Sequence, residues 1–253
     1  MKSKQLVAMA ALALLVALPA RAAEVVSSNI VGYERLSVSS GLSIVGNQFN
    51  AVGGSTNGIE NLVAIEGLSP WGEDSVRFWN GSDYEDLYYY AYDADEGSEG
   101  LLDTGKDGWG DLDQNSVEKS MPAGTAFWLS VSSSAKVCMS GEVPTNSTLN
   151  VDSGLTLVCN PLPMRLDIQD VKATGLSPWG EDSIRIWDGS EYKDYYYYAY
   201  DADEGSEGLL DTEKDGWGDL DQMSVTVPIE IGQGFWIQSS SGATLTFPAL
   251  SAE

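Results

Sequence analysis

Asp103, Asp107 and Asp111 fall at four-residue intervals in the stretch DTGKDGWGDLDQ, with Asp113 beside them. A near copy, DTEKDGWGDLDQ, brings Asp211, Glu213, Asp215, Asp219 and Asp221 108 positions later. Carboxylates spaced through a short glycine-containing loop are the donors that calcium takes. On the D-x-[DN]-x-[DN]-G pattern, Asp103, Asp107 and Asp111 take places one, five and nine. Gly108 then supplies the sharp turn and Trp109 a carbonyl. The second copy offers Asp211, Glu213, Asp215, Gly216, Trp217 and Asp219 in the same way. Gly105 at place three, and Gln114 or Gln222 at place twelve, depart from the EF-hand, and the flanks read as strand or turn. The expectation is therefore another oxygen-rich Ca2+ loop, with Asp93, Asp95 and Glu96 (or Asp201, Asp203 and Glu204) completing the cage. The alternative is a solvated acidic face.

Other chemistries are narrower. The chain contains no histidine, which removes His-activated nucleophiles and His-containing metal sites. A pair of carboxylates acting as acid and base, as in glycoside hydrolysis, is the remaining enzymatic option. Two near-identical copies fit a binder better, through avidity, and the chain is read as non-catalytic. Aromatic rings beside acids suit a sugar, the ring stacking and the carboxylate bonding hydroxyls. Trp109 and Trp217, each between two glycines, are the expected exposed rings, while Trp79 and Trp128 are expected in the core. Tyr88, Tyr90 and Tyr92 share one strand face, repeated by Tyr196, Tyr198 and Tyr200, and give a second ligand platform or an ordinary outer face.

The elements that carry these residues are duplicated. Residues 67–114 and 175–222 align without a gap over 48 positions and differ at only 7 of them. All eight Trp lie in the two modules and pair at the same offset of 108, so the chain reads as two tandem homologous modules. Asn80-Gly81 and Asp188-Gly189, each between an apolar run and a Tyr-rich run, predict hairpins with type I′ turns. Short apolar runs such as Leu42-Ser43-Ile44-Val45 and Phe127-Trp128-Leu129 suit buried strands, and no stretch keeps a helical period with caps. An all-β protein follows, two modules each a β-sandwich or irregular β-barrel. Leu36–Leu42 resembles Leu149–Leu155 as the opening of each module, and the join falls near residues 141–147. The expected division is a signal peptide over 1–23 and modules over 24–143 and 144–253.

That signal peptide is read from Lys2 and Lys4, an apolar run over residues 6–18, and Ala20-Arg21-Ala22 as cleavage site. The expected destination is secretion, the periplasm or the cell surface, with no membrane span in the mature chain. Removing Lys2, Lys4 and Arg21 from 13 Lys and Arg leaves 10 against 38 Asp and Glu, a net charge of −28. Such a surface repels nucleic acid and anionic lipid and attracts cations. Two cysteines in an exported chain, Cys138 and Cys159, predict one disulfide.

The openings GLSIVGNQF (41–49) and GLTLVCNPLP (154–163), with Leu where Trp is usual, resemble the GWNLIGNPYP type of segment in secreted bacterial surface proteins. AGTAFW (123–128) and IGQGFW (231–236) are similar to its PGQGFWV partner strand. The resemblance implies an exported β-module with no assigned reaction. Three functional classes follow: a non-catalytic surface protein with a structural, adhesive or binding role, a calcium-dependent carbohydrate binder, or a carboxylate-pair hydrolase. The expected partners are a glycan or a cell-surface protein.

Overall fold

Period-two alternation builds the sheets. In Ala135–Glu142, Ala135, Val137 and Met139 are buried while Lys136 and Ser140 are exposed, as a half-buried strand requires. The computed structural model describes residues 30–250 except 94, 96 and 202–204, and over these the chain is all-β. In the first half the strands are β1 (Val31–Val38), β2 (Gly41–Gly46), β3 (Val63–Glu66), β4 (Trp71–Trp79), β5 (Tyr84–Tyr90), β6 (Tyr92–Asp93), β7 (Ser98–Glu99), β8 (Gly108–Gly110), β9 (Ala126–Val131) and β10 (Ala135–Glu142). The second half adds β11 (Thr148–Val151), β12 (Gly154–Cys159), β13 (Leu166–Asp167), β14 (Lys172–Thr174), β15 (Trp179–Trp187), β16 (Tyr192–Tyr198), β17 (Tyr200–Asp201), β18 (Ser206–Glu207), β19 (Gly216–Gly218), β20 (Pro228–Ile229), β21 (Gly234–Ser239) and β22 (Ala243–Thr246). Among the described residues of the first half a 3-10 turn (Val52–Gly54) and a short α-helix, α1 (Ile59–Leu62), separate β2 from β3.

Sheet order is the same in both halves. Five strands run β2-β9-β4-β5-β8 in the first and β12-β21-β15-β16-β19 in the second, all antiparallel. Three-stranded sheets β1-β10-β3 and β11-β22-β14 cover them. Val76, Phe78, Phe127 and Leu129 of the five-stranded sheet meet Val63, Val137 and Met139 of the three-stranded one in a single core. Ile184, Ile186, Phe235 and Ile237 build the matching core with Val151 and Leu245. Each pair of sheets thus packs face to face as a sandwich. None of the sheets closes into a barrel among the described residues, so the barrel alternative is corrected.

The faces of the two five-stranded sheets turned away from these cores pack on each other. Trp128, Trp236, Leu157, Ala126 and Cys159 are buried there, with Trp79 and Trp187 against them. Trp79 meets Trp236 at 5.6 Å between ring centroids, and Trp128 meets Trp187 at 6.0 Å, both edge to face. Trp187 and Trp236 are the counterparts of Trp79 and Trp128, 108 positions on, so one contact is the copy of the other and the seam has an approximate twofold relation. Backbone bonds repeat it: Gly46 N donates to Gly232 O at 2.8 Å and Cys159 N to Gly124 O at 2.9 Å. Trp79 and Trp128 therefore belong to this seam, on the opposite sheet face from the first core.

Two further expectations are corrected. The hairpins form, but Gly81 alone has positive φ (102°), and the loop is four residues long between Trp79 and Tyr84. Asn80 Oδ1 accepts from the amides of Ser82 and Asp83, holding the turn without the type I′ backbone. Asp188 does the same for Ser190 and Glu191, whose amides hold its carboxyl down at about 2. The disulfide does not form: Cys138 and Cys159 are both free thiols. Cys138 points away from the core on β10, beside the Tyr33 hydroxyl, whereas Cys159 lies in the seam. The first core's layer of side chains stands between them, so their Cβ atoms cannot approach to bonding distance. The expected signal peptide lies outside the described residues, and no described helix is long and apolar enough to cross a membrane.

Candidate functional site

The expected exposed rings are inside. Trp109 is 7% exposed and Trp217 0%. In Gly-Trp-Gly, strand alternation sends the ring to one face and both glycines to the other, and Leu101 lies against that other face. A Cβ at Gly108 or Gly110 would stand 2.5 or 2.6 Å from a Leu101 methyl, so Leu101 can pack there only over glycine. Trp109 then meets Tyr89 at 5.4 Å, and Trp217 donates from Nε1 to Val171 O at 2.8 Å.

The aspartates of the expected calcium loops are turned to separate tasks. Asp103 accepts from the Ser116 amide and hydroxyl, Asp107 from the Tyr92 amide, and Asp111 from the amides of Asp113 and Asn115. Asp211, Asp215 and Asp219 repeat these bonds to Ser224, Tyr200, and Asp221 with Met223. The Ser116 hydroxyl, more than its amide, holds the Asp103 carboxyl below its ordinary range, and Ser224 does so for Asp211. The Trp109 and Trp217 carbonyls accept from Val117 and Val225. Among the described residues no group of three acidic, His or Cys side chains gathers where an ion would sit, and each of Asp103, Asp107 and Asp111, like its counterpart, bonds to a different stretch of chain. Ala94, Glu96, Asp203 and Glu204 lie outside the described residues, as do the side chains of Asp93 and Asp201.

A different set of side chains converges instead, once in each copy. Pro70, Trp71, Tyr90, Gly97, Glu99 and Gln114 line a cleft of about 220 Å³. Pro178, Trp179, Tyr198, Gly205, Glu207 and Gln222 line one of about 160 Å³. Trp71 and Trp179 are 52% and 54% exposed, large apolar rings held in water. Three devices place them. Asp74, fully buried, accepts from the amides of Ser69 and Ser132 at 2.6 Å and ties the Gly-Leu-Ser-Pro-Trp turn to the turn after β9. Asp182 ties Ser177 to Ser240 in the same way. A bulge between Trp71 and Ser75, and between Trp179 and Ser183, breaks the register and re-aims the ring. Gly72 (φ 74°) within it lets the Tyr90 ring lie flat against β4, since a Cβ would stand 2.7 Å from Tyr90 Cε1.

Gln114 and Gln222 complete the clefts with φ of 61° and 58°, a left-handed backbone rare for glutamine. Their amides bond to the Asp111 and Asp219 carbonyls, so the acidic turn sets the glutamine's direction. Of the expected ligand residues, Tyr90 and Tyr198 stand in the clefts, Tyr88 and Tyr196 lie one pleat away along the same strands, and Trp109 and Trp217 are in the cores. Trp71, Glu99 and Gln114 were not among the expected residues. The signal for Trp71 was its place between Pro70 and Gly72, where a turn has no core to bury a ring. An aromatic wall with one carboxylate and one amide suits a polyhydroxylated ring, which stacks on Trp and bonds to Glu and Gln. No family model matches this chain, and no curated protein or solved structure does either.

Proposed function

We propose that the chain is an exported, non-catalytic β-protein of adhesive or matrix type that binds saccharide through its twin clefts. The observation that carries this reading is the recurrence of the same Pro, Trp, Tyr, Gly, Glu and Gln around a small exposed hollow in both copies. The basic, apolar and small-residue start of the chain supports export. Among the described residues each cleft is lined by one carboxylate, Glu99 or Glu207, where hydrolysis by the acid–base route uses two. The reading does not depend on calcium, since the Trp, Tyr, Glu and Gln of the clefts supply the contacts to the sugar.

A glycan array with the full chain tests the reading, followed by titration of any glycan bound. Trp71→Ala and Trp179→Ala are each expected to halve the stoichiometry, and the double variant to abolish binding with the circular dichroism spectrum unchanged. Undiminished binding by the double variant would falsify the assignment, and release of reducing ends would make the protein a hydrolase.

A further inference from the structure

We propose that the second cleft recognises an amino sugar, its ring on Trp179 and its ammonium group in the adjoining cavity between Glu207 and Glu213. This rests on the saccharide reading of the clefts. The cavity is about 550 Å³ and is lined by Tyr200, Gly205, Ser206, Glu207, Leu210 and Glu213. It shares Gly205, Ser206 and Glu207 with the cleft, so one ligand can reach from the Trp179 ring across Glu207 into it. Its apolar walls, Tyr200 and Leu210, are 54% and 50% exposed. A phenol ring with two carboxylates is the setting that an ammonium group prefers, through its ring quadrupole and charge-assisted hydrogen bonds. Neither Glu207 nor Glu213 forms an ion pair among the described residues. Lys214 is the one base in residues 201–221 against nine acids, so the local field also favours a cation.

The two copies differ at this point. Glu213 stands where the first copy has Gly105, and it keeps the glycine's left-handed backbone, φ 54° against 62°. A glutamate there is less stable than glycine, and it lines the cavity. It is the one of the 7 differing positions that lines either the second cleft or this cavity. The first copy has Gly105 at that place, without a matching second carboxylate among the described residues, and is assigned to neutral sugars.

The test uses the full chain carrying Trp71→Ala, so that only the second cleft reports. Calorimetry compares glucosamine oligomers with N-acetylglucosamine oligomers of equal length, which differ in the positive charge, at matched ionic strength. About tenfold tighter binding of the charged oligomer is expected. Adding Glu213→Gly, which relieves the backbone and leaves the fold intact, is expected to remove that preference while neutral binding persists. Equal affinity for the two oligomers overturns the inference and leaves the saccharide reading standing. A preference that survives Glu213→Gly or Trp179→Ala also overturns it, being general attraction to an acidic protein. Absence of binding by both oligomers, with the array blank as well, overturns both readings.

Discussion

Gly46 and Cys159 occupy equivalent places in the two halves and face each other across the seam. A Cβ built on Gly46 would stand 2.2 Å from Cys159 Cβ and 2.6 Å from its Sγ. Carbon atoms need about 3.5–4.0 Å, and a Cβ is fixed by its backbone, so no rotamer change relieves the first contact. Gly46→Ala must therefore push β2 and β12 apart by roughly an ångström or more. That loosens the bonds Gly46 N to Gly232 O and Cys159 N to Gly124 O. Overpacking of this kind costs about 3 kcal/mol. Cys159→Gly alone removes two buried atoms and adds chain freedom, a loss of about 2 kcal/mol. In the double variant the methyl group introduced at position 46 enters the space that Cys159 vacates, so its loss is expected to be about 2–3 kcal/mol, below the sum of the single losses. Equilibrium unfolding in guanidinium, with slopes compared across the four proteins, measures the cycle. Strict additivity would refute the seam geometry.

Three more outcomes are expected. Intact mass should not change on reduction, and native protein should lose at most the Cys138 thiol to an alkylating reagent. Cys159 is fully buried, and burial pushes its thiol well above the ordinary range, so it should react only after unfolding; a gain of about 2 Da on reduction would contradict this. Burial pushes the half-buried Glu34 carboxyl up to about 7 from 4.5, so the folded state holds that proton more tightly. Its contribution is then full below about pH 4.5 and lost as pH rises through about 7, at most ~3 kcal/mol and about half that with solvent screening. Glu34→Gln should thus gain about 1.5 kcal/mol on wild type between about pH 5 and pH 8.5, and parallel pH profiles of the two proteins would show that Glu34 is not linked to folding. Calcium and magnesium at matched ionic strength should raise the unfolding temperature equally, by screening. A calcium-specific rise, about 2.7 kcal/mol at roughly 100 times the Kd, would assign the ion to the acidic loops.

Local readings taken from the sequence held where the cause was local. Strand alternation and the absence of capped helical periods were enough for an all-β chain, and Asn80-Gly81 marked a hairpin because its turn needs only neighbouring residues. The turn type was missed because the Asn80 side chain, satisfying two amides, made the positive φ of a type I′ turn unnecessary at that residue. The internal copy made the doubling plain, and with it the pairing of all eight Trp. Which face each ring meets was decided by docking. Trp79 and Trp128 sit on the sheet face opposite Phe78 and Phe127, and only the second half's arrival buries them. Trp109 looked exposed because its neighbours are glycines, yet those glycines are the space into which Leu101 packs. An even cysteine count carried no information about distance, and the first core came to lie between the two sulfurs. The clefts were the least legible feature. Trp71, Tyr90, Glu99 and Gln114 come from four separate segments, and a bulge, a buried aspartate and a left-handed glutamine bring them together, none of which a linear pattern of residue types records.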